Sequence, residues 1–211
     1  MRLYLSSYSL GSQLERLHEM VGSNKRMLFI DNAKDYLDPQ ERADHVKQKL
    51  IDYSEAGFEV EELDLRHYFD RSEELAEVVQ GAGLVWGSGG NTFILRRALQ
   101  YSGLDEILIQ GLKADQFVYG GSSAGSIIAT KTLRGTENGD DPYRVPEGYQ
   151  ADIVWDGLGL IYPQLVPHYQ SDWSGEEAQA MADYFKHNGY TYETLRDGEV
   201  YIVDGGVEVK L

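Results

Sequence analysis

Gly121-Ser122-Ser123-Ala124-Gly125 is the segment of this chain whose residue types and spacing speak most directly of chemistry. It fits G-x-S-x-G, and it lies between an apolar strand-like run, Phe117-Val118-Tyr119, and a helical turn, Ile127-Ile128-Ala129. In that context the pattern makes a nucleophile elbow. The glycines let the backbone turn sharply, the central serine is pushed outward, and the amide of the next residue faces a developing oxyanion. Ser123 is therefore the candidate nucleophile. Ser122 is its competitor, but it lacks the flanking glycines in the same frame. Without catalysis, the same turn would be a tight strand–helix junction or a phosphate loop.

A second glycine-rich turn, Gly87-Ser88-Gly89-Gly90-Asn91-Thr92-Phe93, also follows a strand and opens a helix. Its amides are placed to complete an oxyanion hole with Ala124, and the Asn91 side chain can cap the helix or reach a substrate. It is not a G-x-G-x-x-G dinucleotide turn. A serine hydroxyl needs a base, usually histidine. Of the five histidines, His18, His45, His67 and His187 fall in helical or polar stretches and read as solvated. His168 follows the apolar run Leu165-Val166-Pro167, which predicts a position at a strand end, level with Ser123. A core or loop histidine fits that position equally well. For the acid that orients the imidazole, Asp197 in the turn Leu195-Arg196-Asp197-Gly198 is attractive; Asp140, Asp141, Asp152 and Asp172 remain open.

The elements that must position these residues alternate between strand and helix, the pattern of a parallel sheet covered on both faces. Arg2–Ser7, Arg26–Ile30, Phe58–Leu65, Leu84–Trp86 and Phe117–Tyr119 read as strands. Gln13–Val21, the segment opened by Asp38-Pro39, Ser72–Gln80, the segment after Asn91, and Leu104–Ala114 read as helices. Residues 132–149 are polar and aperiodic, a long surface loop of the kind that often carries function. Glu176–His187 is helical, and Tyr190–Leu195, Val200–Val203 and Val207–Lys210 are short late strands. The 211 residues read as a single domain, 1–211.

Composition narrows the function classes. There is no cysteine, so thiolate nucleophiles, disulfides and cysteine metal sites are excluded. The formal charge of −16, from 35 acidic and 19 basic residues, argues against nucleic acid and anionic membranes as partners. No stretch approaches the ~18 apolar residues of a membrane span, and the short apolar start is no signal h-region. A cytoplasmic protein, monomer or homodimer, is expected.

Taken together and in order, Gly89-Gly90-Asn91-Thr92-Phe93, Gly121-Ser122-Ser123-Ala124-Gly125, Pro167-His168-Tyr169 and Leu195-Arg196-Asp197-Gly198 resemble the peptidase E (aspartyl dipeptidase) and cyanophycinase family of serine peptidases. The resemblance runs from about Leu84 onward. It implies a three-layer α/β/α sandwich with a mostly parallel sheet, like that of class I glutamine amidotransferases. It also implies Ser123 as nucleophile, His168 as general base, the amides of Gly90 and Ala124 as oxyanion hole, and short peptides as substrates without a metal or organic cofactor. The family's acid, usually a glutamate before a glycine, falls on Asp197, one methylene shorter. Asp140, in the loop after the nucleophile, falls where the family carries another aspartate and is expected to recognise the substrate's α-amino group.

One departure bears on specificity. In the family an arginine after the catalytic histidine pairs with an aspartyl carboxylate. Here Ser174–Met181 has no basic residue and carries Glu176 and Glu177 instead, so strict Asp-X specificity is not expected. An esterase, an isopeptidase for an Asp/Arg-type bond, or a non-catalytic ligand-binding protein of the same fold are the alternatives.

Overall fold

Short apolar runs become strands because both of their faces can be buried. The computed structural model describes residues 1–211. Strands β1 (Arg2–Ser6), β2 (Arg26–Ile30), β3 (Glu59–Glu62), β4 (Leu84–Gly87) and β5 (Val118–Ser122) are joined by helices α1 (Leu14–Val21), α2 (Pro39–Glu55), α3 (Ser72–Val79), α4 (Thr92–Ser102) and α5 (Leu104–Lys113). A four-residue helix α6 (Ala124–Ile127) follows β5. Then come β6 (Gln164–Val166), α7 (Gly175–His187), β7 (Tyr192–Thr194), β8 (Val200–Asp204) and β9 (Val207–Lys210). The main sheet runs β3-β2-β4-β5-β1-β8-β9. Its first five strands are parallel, β8 runs antiparallel to β1, and β9 antiparallel to β8.

Side chains alternate across this sheet with the two-residue period of a strand. Leu3, Leu5, Leu28, Ile30, Val85 and Tyr119 face a core built with α3, α4 and α5. Tyr4, Met27, Phe29, Leu84, Trp86 and Val118 face one built with Leu17 and Met20 of α1 and Val46 and Tyr53 of α2. Helices therefore cover both faces, giving the three-layer α/β architecture expected. Local signals hold where they are physical. The Asp38 side chain accepts from the Gln40 amide at 2.9 Å ahead of Pro39, and Asn91 accepts from the Phe93 and Ile94 amides, both at 3.0 Å, to cap α4.

Three expectations need correction. The strand expected over Phe58–Leu65 is only Glu59–Glu62, because the chain leaves this edge to form a 3₁₀ turn at Leu65–Tyr68. The strand ending before His168 does not join the main sheet. It pairs in parallel with β7 in a separate two-stranded sheet, packed on α7 with Phe93 and Val166 in a third core. His18 and His45 are partly buried rather than solvated. The His18 ring stacks on Phe58 at 4.7 Å, and His45 pairs through Nδ1 with the fully buried Asp31 at 2.8 Å.

The polar segment after α6 is held in place from below. Arg97 of α4, fully buried, donates to the carbonyls of Asp152 and Pro142 at 2.8 Å and Ala151 at 3.3 Å. Arg96 beside it donates to Asp156 O at 2.8 Å. A guanidinium has five donors in a fixed fork, so one side chain can satisfy several loop carbonyls that helices and strands leave unpaired. Tyr149 adds a hydrogen bond to the buried carboxylate of Asp35.

Candidate active site

The elbow between β5 and α6 is set by backbone packing. A Cβ on Gly121 would stand 2.4 Å from the Gly125 carbonyl, and one on Gly125 would stand 2.1 Å from Gly87 O. Neither contact is tolerable, so only glycine lets the turn close against β4. The turn drives Ser123 into the left-handed region, φ +51° and ψ −113°. A non-glycine residue there is strained by about 1–3 kcal/mol. The Ser123 amide donates to both Ser6 O and Ser7 O at 3.1 Å, and the Ser126 hydroxyl bridges Ser6 O and Gly121 O at 2.7 and 2.9 Å. These bonds offset the strain. Ser123 is partly exposed while Ser122 is buried in the strand.

His168 follows β6 in another left-handed conformation, φ +60°. Its Nδ1 lies 2.7 Å from Asp197 Oδ1, leaving Nε2 as the free ring nitrogen. Aspartate reaches the imidazole although it is the shorter acid, because the turn after β7 brings its backbone close: Tyr169 N bonds Leu195 O at 3.0 Å. Two further side chains fix this pair. The Ser7 hydroxyl accepts from the His168 amide at 2.8 Å and lies 2.9 Å from Asp197 Oδ1. The indole of Trp173 donates to Asp197 Oδ2 at 2.9 Å, and its ring lies 4.3 Å from that of His168. Burial holds the imidazole below its ordinary pKa, against the opposite pull of Asp197. Burial also pushes the Asp197 carboxyl up, but the hydrogen bonds from His168, Trp173 and Ser7 outweigh it and leave it below the usual carboxylate value. The pair is thus a neutral imidazole on an ionised carboxylate near neutral pH.

Ser123 and His168 line one cavity of about 560 Å³, with no hydrogen bond between the serine hydroxyl and the ring. The Gly89–Gly90 turn forms the facing wall. Gly90 has φ +142°, and a Cβ there would stand 2.5 Å from Ala33 O. The Gly90 amide has no backbone partner, and the amide of Ala124 belongs to the first residue of α6, where no intrahelical acceptor exists. Lys34, from a 3₁₀ turn at Asn32–Lys34, donates its ammonium to the Gly89 carbonyl. Burial lowers its pKa, and Asp31 at 3.9 Å opposes that.

The remaining site residues expected from sequence divide. Asp140 lines the cavity, and its Oδ2 accepts from the Thr92 amide at 2.9 Å and hydroxyl at 2.6 Å. Burial pushes its pKa up to about 6, against those two bonds. Asn91 lines the cavity too, but its oxygen is occupied by the α4 cap and its Nδ2 donates to Asp141 O at 2.9 Å. It holds the Asp140 loop rather than presenting a free amide. Asp152 and Asp172 are exposed and lie away from His168 Nδ1, where Asp197 stands. The cavity wall is bipolar: Lys34, Lys49 and Arg144 are cationic, while Asp140, Asp141 and Glu177 are anionic.

Ser7, Lys34 and Trp173 escaped the sequence reading. Ser7 is one serine among many at a strand end and carries no motif. Lys34 sits in a polar turn that reads as solvated. Trp173, five positions after the candidate base, is the one with a usable signal, a large aromatic in an otherwise polar stretch.

This fold and site define a class, α/β proteins with a serine elbow at the carboxyl end of a parallel sheet. Within it, the model of Peptidase family S51 matches residues 5–209, and the chain belongs to that family. Peptidase E of Streptomyces coelicolor is 30% identical over 149 residues, covering 68% of this chain and 57% of that protein. A candidate alpha-aspartyl dipeptidase of Drosophila melanogaster is 28% identical over 155 residues, covering 71% of this chain and 59% of that one. The chain therefore spans less than two thirds of the length of these curated relatives. Among solved structures, that of a candidate peptidase E of Listeria monocytogenes superposes over 100% of this chain and 97% of its own with a TM-score of 0.79 at 22% identity. That likeness speaks for the fold. No helix is long and apolar enough to cross a membrane.

Proposed function

We propose that the protein is a cytoplasmic serine peptidase acting on short peptides through an acyl-enzyme on Ser123. The observation that carries this reading is the meeting, on one cavity, of a strained serine elbow and a histidine whose other nitrogen is held by a partly exposed carboxylate. Ser123 Oγ attacks the scissile carbonyl carbon and its proton passes to His168 Nε2. Asp197 keeps the tautomer that leaves Nε2 as acceptor and stabilises the imidazolium that forms. The carbonyl oxygen, now anionic, is received by the amides of Gly90 and Ala124. Collapse of the intermediate breaks the C–N bond, and His168 returns the proton to the leaving amine. Water then hydrolyses the acyl ester by the same route.

The bipolar wall supports a small zwitterionic substrate, with Asp140 taking the α-amino group. Its pKa of about 6 leaves it ionised at neutral pH. The anionic residues Asp141 and Glu177 on the wall favour a second reading, hydrolysis of an isopeptide that carries an arginine side chain. The absence of a basic residue in Ser174–Met181 argues against strict Asp-X specificity on either reading.

The test is a panel of dipeptides, aminoacyl-coumarins, simple esters and an Asp/Arg isopeptide, combined with labelling by a fluorophosphonate. Wild type is expected to cleave at least one peptide and to label at Ser123, and Ser123→Ala to do neither. A Ser123→Ala protein that retains full activity would overturn the mechanism, and cleavage confined to esters would overturn the peptidase assignment.

A further inference from the structure

A general acid must stand beside the group it protonates. On the reading proposed above, His168 hands its proton to the leaving amine, so the residue that carries this amine has to sit against the His168 side of the cavity. Two aromatic rings are found there. Trp173 lies 4.3 Å from the His168 ring and Tyr8 lies edge-on at 6.3 Å. They meet each other edge to face at 6.1 Å. Both line the cavity, and both are more than half exposed, 57% for Tyr8 and 61% for Trp173. No other pair of exposed large apolar side chains reaches the site.

From this placement we propose that Tyr8 and Trp173 form the subsite for the side chain of the leaving residue, and that it takes an aromatic or large aliphatic group. The Trp173 ring is set before any ligand arrives, its indole tied to Asp197 Oδ2 at 2.9 Å. The Tyr8 backbone is held through its carbonyl, which accepts from the Ser6 hydroxyl at 3.0 Å and the Gly11 amide at 3.1 Å, and its ring leans edge to face on Trp173. Preorganised rings lose little freedom on binding, so most of the contact is available as affinity. The nearest acid, Asp197, has both oxygens engaged by His168, Ser7 and Trp173. Of the other charged groups that line the cavity, Lys34 is bound to Gly89 O, Lys49 to Asp52 and Asp140 to Thr92, and none of these or of Asp141, Arg144 and Glu177 makes a hydrogen bond or ion pair with Tyr8 or Trp173. An apolar leaving side chain therefore gains a partner here, whereas a charged one gains none. An aromatic side chain laid on the two rings adds edge and face contacts beyond its buried area.

The experiment compares dipeptides that share an acyl residue (Asp, Ala or Arg series) and differ in the leaving residue, Gly, Leu or Phe. In any series that is cleaved, kcat/KM for Phe is expected to exceed that for Gly by about tenfold. Tyr8→Ala should bring the ratio close to one, while Trp173→Phe, which keeps a ring, should retain a good part of it. Calorimetry on the Ser123→Ala protein gives a readout that needs no turnover, and the Phe peptide should bind more tightly by a similar factor. Cleavage with a ratio near one, or a preference that survives Tyr8→Ala, overturns the subsite and leaves the peptidase reading standing. Absence of both cleavage and Ser123 labelling overturns the peptidase reading, and the leaving-residue subsite with it.

Discussion

The ammonium of Lys34 and the amide of Gly90 lie at opposite ends of one peptide unit, because Lys34 binds the carbonyl of Gly89. A trans peptide is planar, with its C=O and N–H pointing opposite ways. Drawing the carbonyl toward Lys34 therefore turns the N–H of Gly90 the other way. Lys34 is charged and half-withdrawn from water, so the bond is of the stronger, charge-assisted kind.

Lys34→Met removes the charged donor on that carbonyl, leaving only the Ser88 hydroxyl at 3.2 Å, and loosens the turn. If the Gly90 amide receives the oxyanion, kcat should fall by roughly 10²-fold, as for loss of one oxyanion donor, with a smaller change in KM. Steady-state kinetics on any cleaved peptide decides it. Unchanged kcat in a variant of normal circular dichroism would remove Lys34 from this role.

The pH profile follows from the His168–Asp197 pair. In its proposed role as base His168 acts when neutral, and burial keeps it neutral to below its ordinary value. Activity, as kcat/KM, should therefore stay level as pH falls to about 6.5 and decline only below it. Asp197→Asn removes the hydrogen bond and the charge that favour the imidazolium. The acid limb should move to still lower pH, while kcat falls by roughly 10³–10⁴-fold because the tautomer is no longer held.

Asp140 makes a prediction on stability. Its pKa is pushed up to about 6 by burial, so the folded state binds a proton that the unfolded chain releases near the ordinary carboxylate value. Such a group opposes folding increasingly as pH rises from about 4 to 6. Asparagine can still accept from the Thr92 amide and hydroxyl without that penalty. Asp140→Asn should raise Tm relative to wild type at pH 8, and the gain should shrink toward zero near pH 4. The same variant should lose its preference for free over N-acetylated peptides, which separates the stability effect from the proposed α-amino contact.

The elbow itself predicts a sharp contrast between two glycines. A Cβ on Gly125 would collide with the backbone of Gly87 at 2.1 Å, whereas one on Gly139 would make ordinary contact with Glu177 at 3.5 Å. Overpacking against rigid backbone costs about 1–3 kcal/mol or more, so Gly125→Ala should lower Tm by roughly 10 °C in a chain of this size. Gly139→Ala should leave it nearly unchanged. Thermal unfolding followed by circular dichroism reads both.

What sequence could and could not reveal has physical causes. Met27–Ile30 and Leu84–Trp86 announced themselves as buried parallel strands because a strand covered on both faces must be apolar throughout. The G-x-S-x-G turn was legible because no other residue fits where Gly121 and Gly125 meet the backbone. The partner of β6 was not legible: Leu165-Val166 is an apolar run that would suit any sheet, and only the packing of α7 sends it to β7. Buried charged residues were not legible either. Arg97, Asp31 and Asp35 carry no sign of burial in the sequence, yet their side chains are withdrawn from solvent: Arg97 and Asp35 find partners 45 and 114 positions away in Pro142 and Tyr149, and Asp31 meets His45. Asp197 stood out from other acids through the turn it occupies, but Ser7 and Trp173, which hold it, required the tertiary structure.

Ser7 and Asp197 stand 190 positions apart and meet because β8 is laid against β1. During synthesis, a chain that has emerged from the ribosome through Ser123, or even through His168, already holds the nucleophile but lacks the acid. On the proposed roles, it is a catalyst weaker by roughly 10³–10⁴-fold toward its neighbours and itself. The late strand acts as a safety catch that is released only when the last part of the sheet closes over the first.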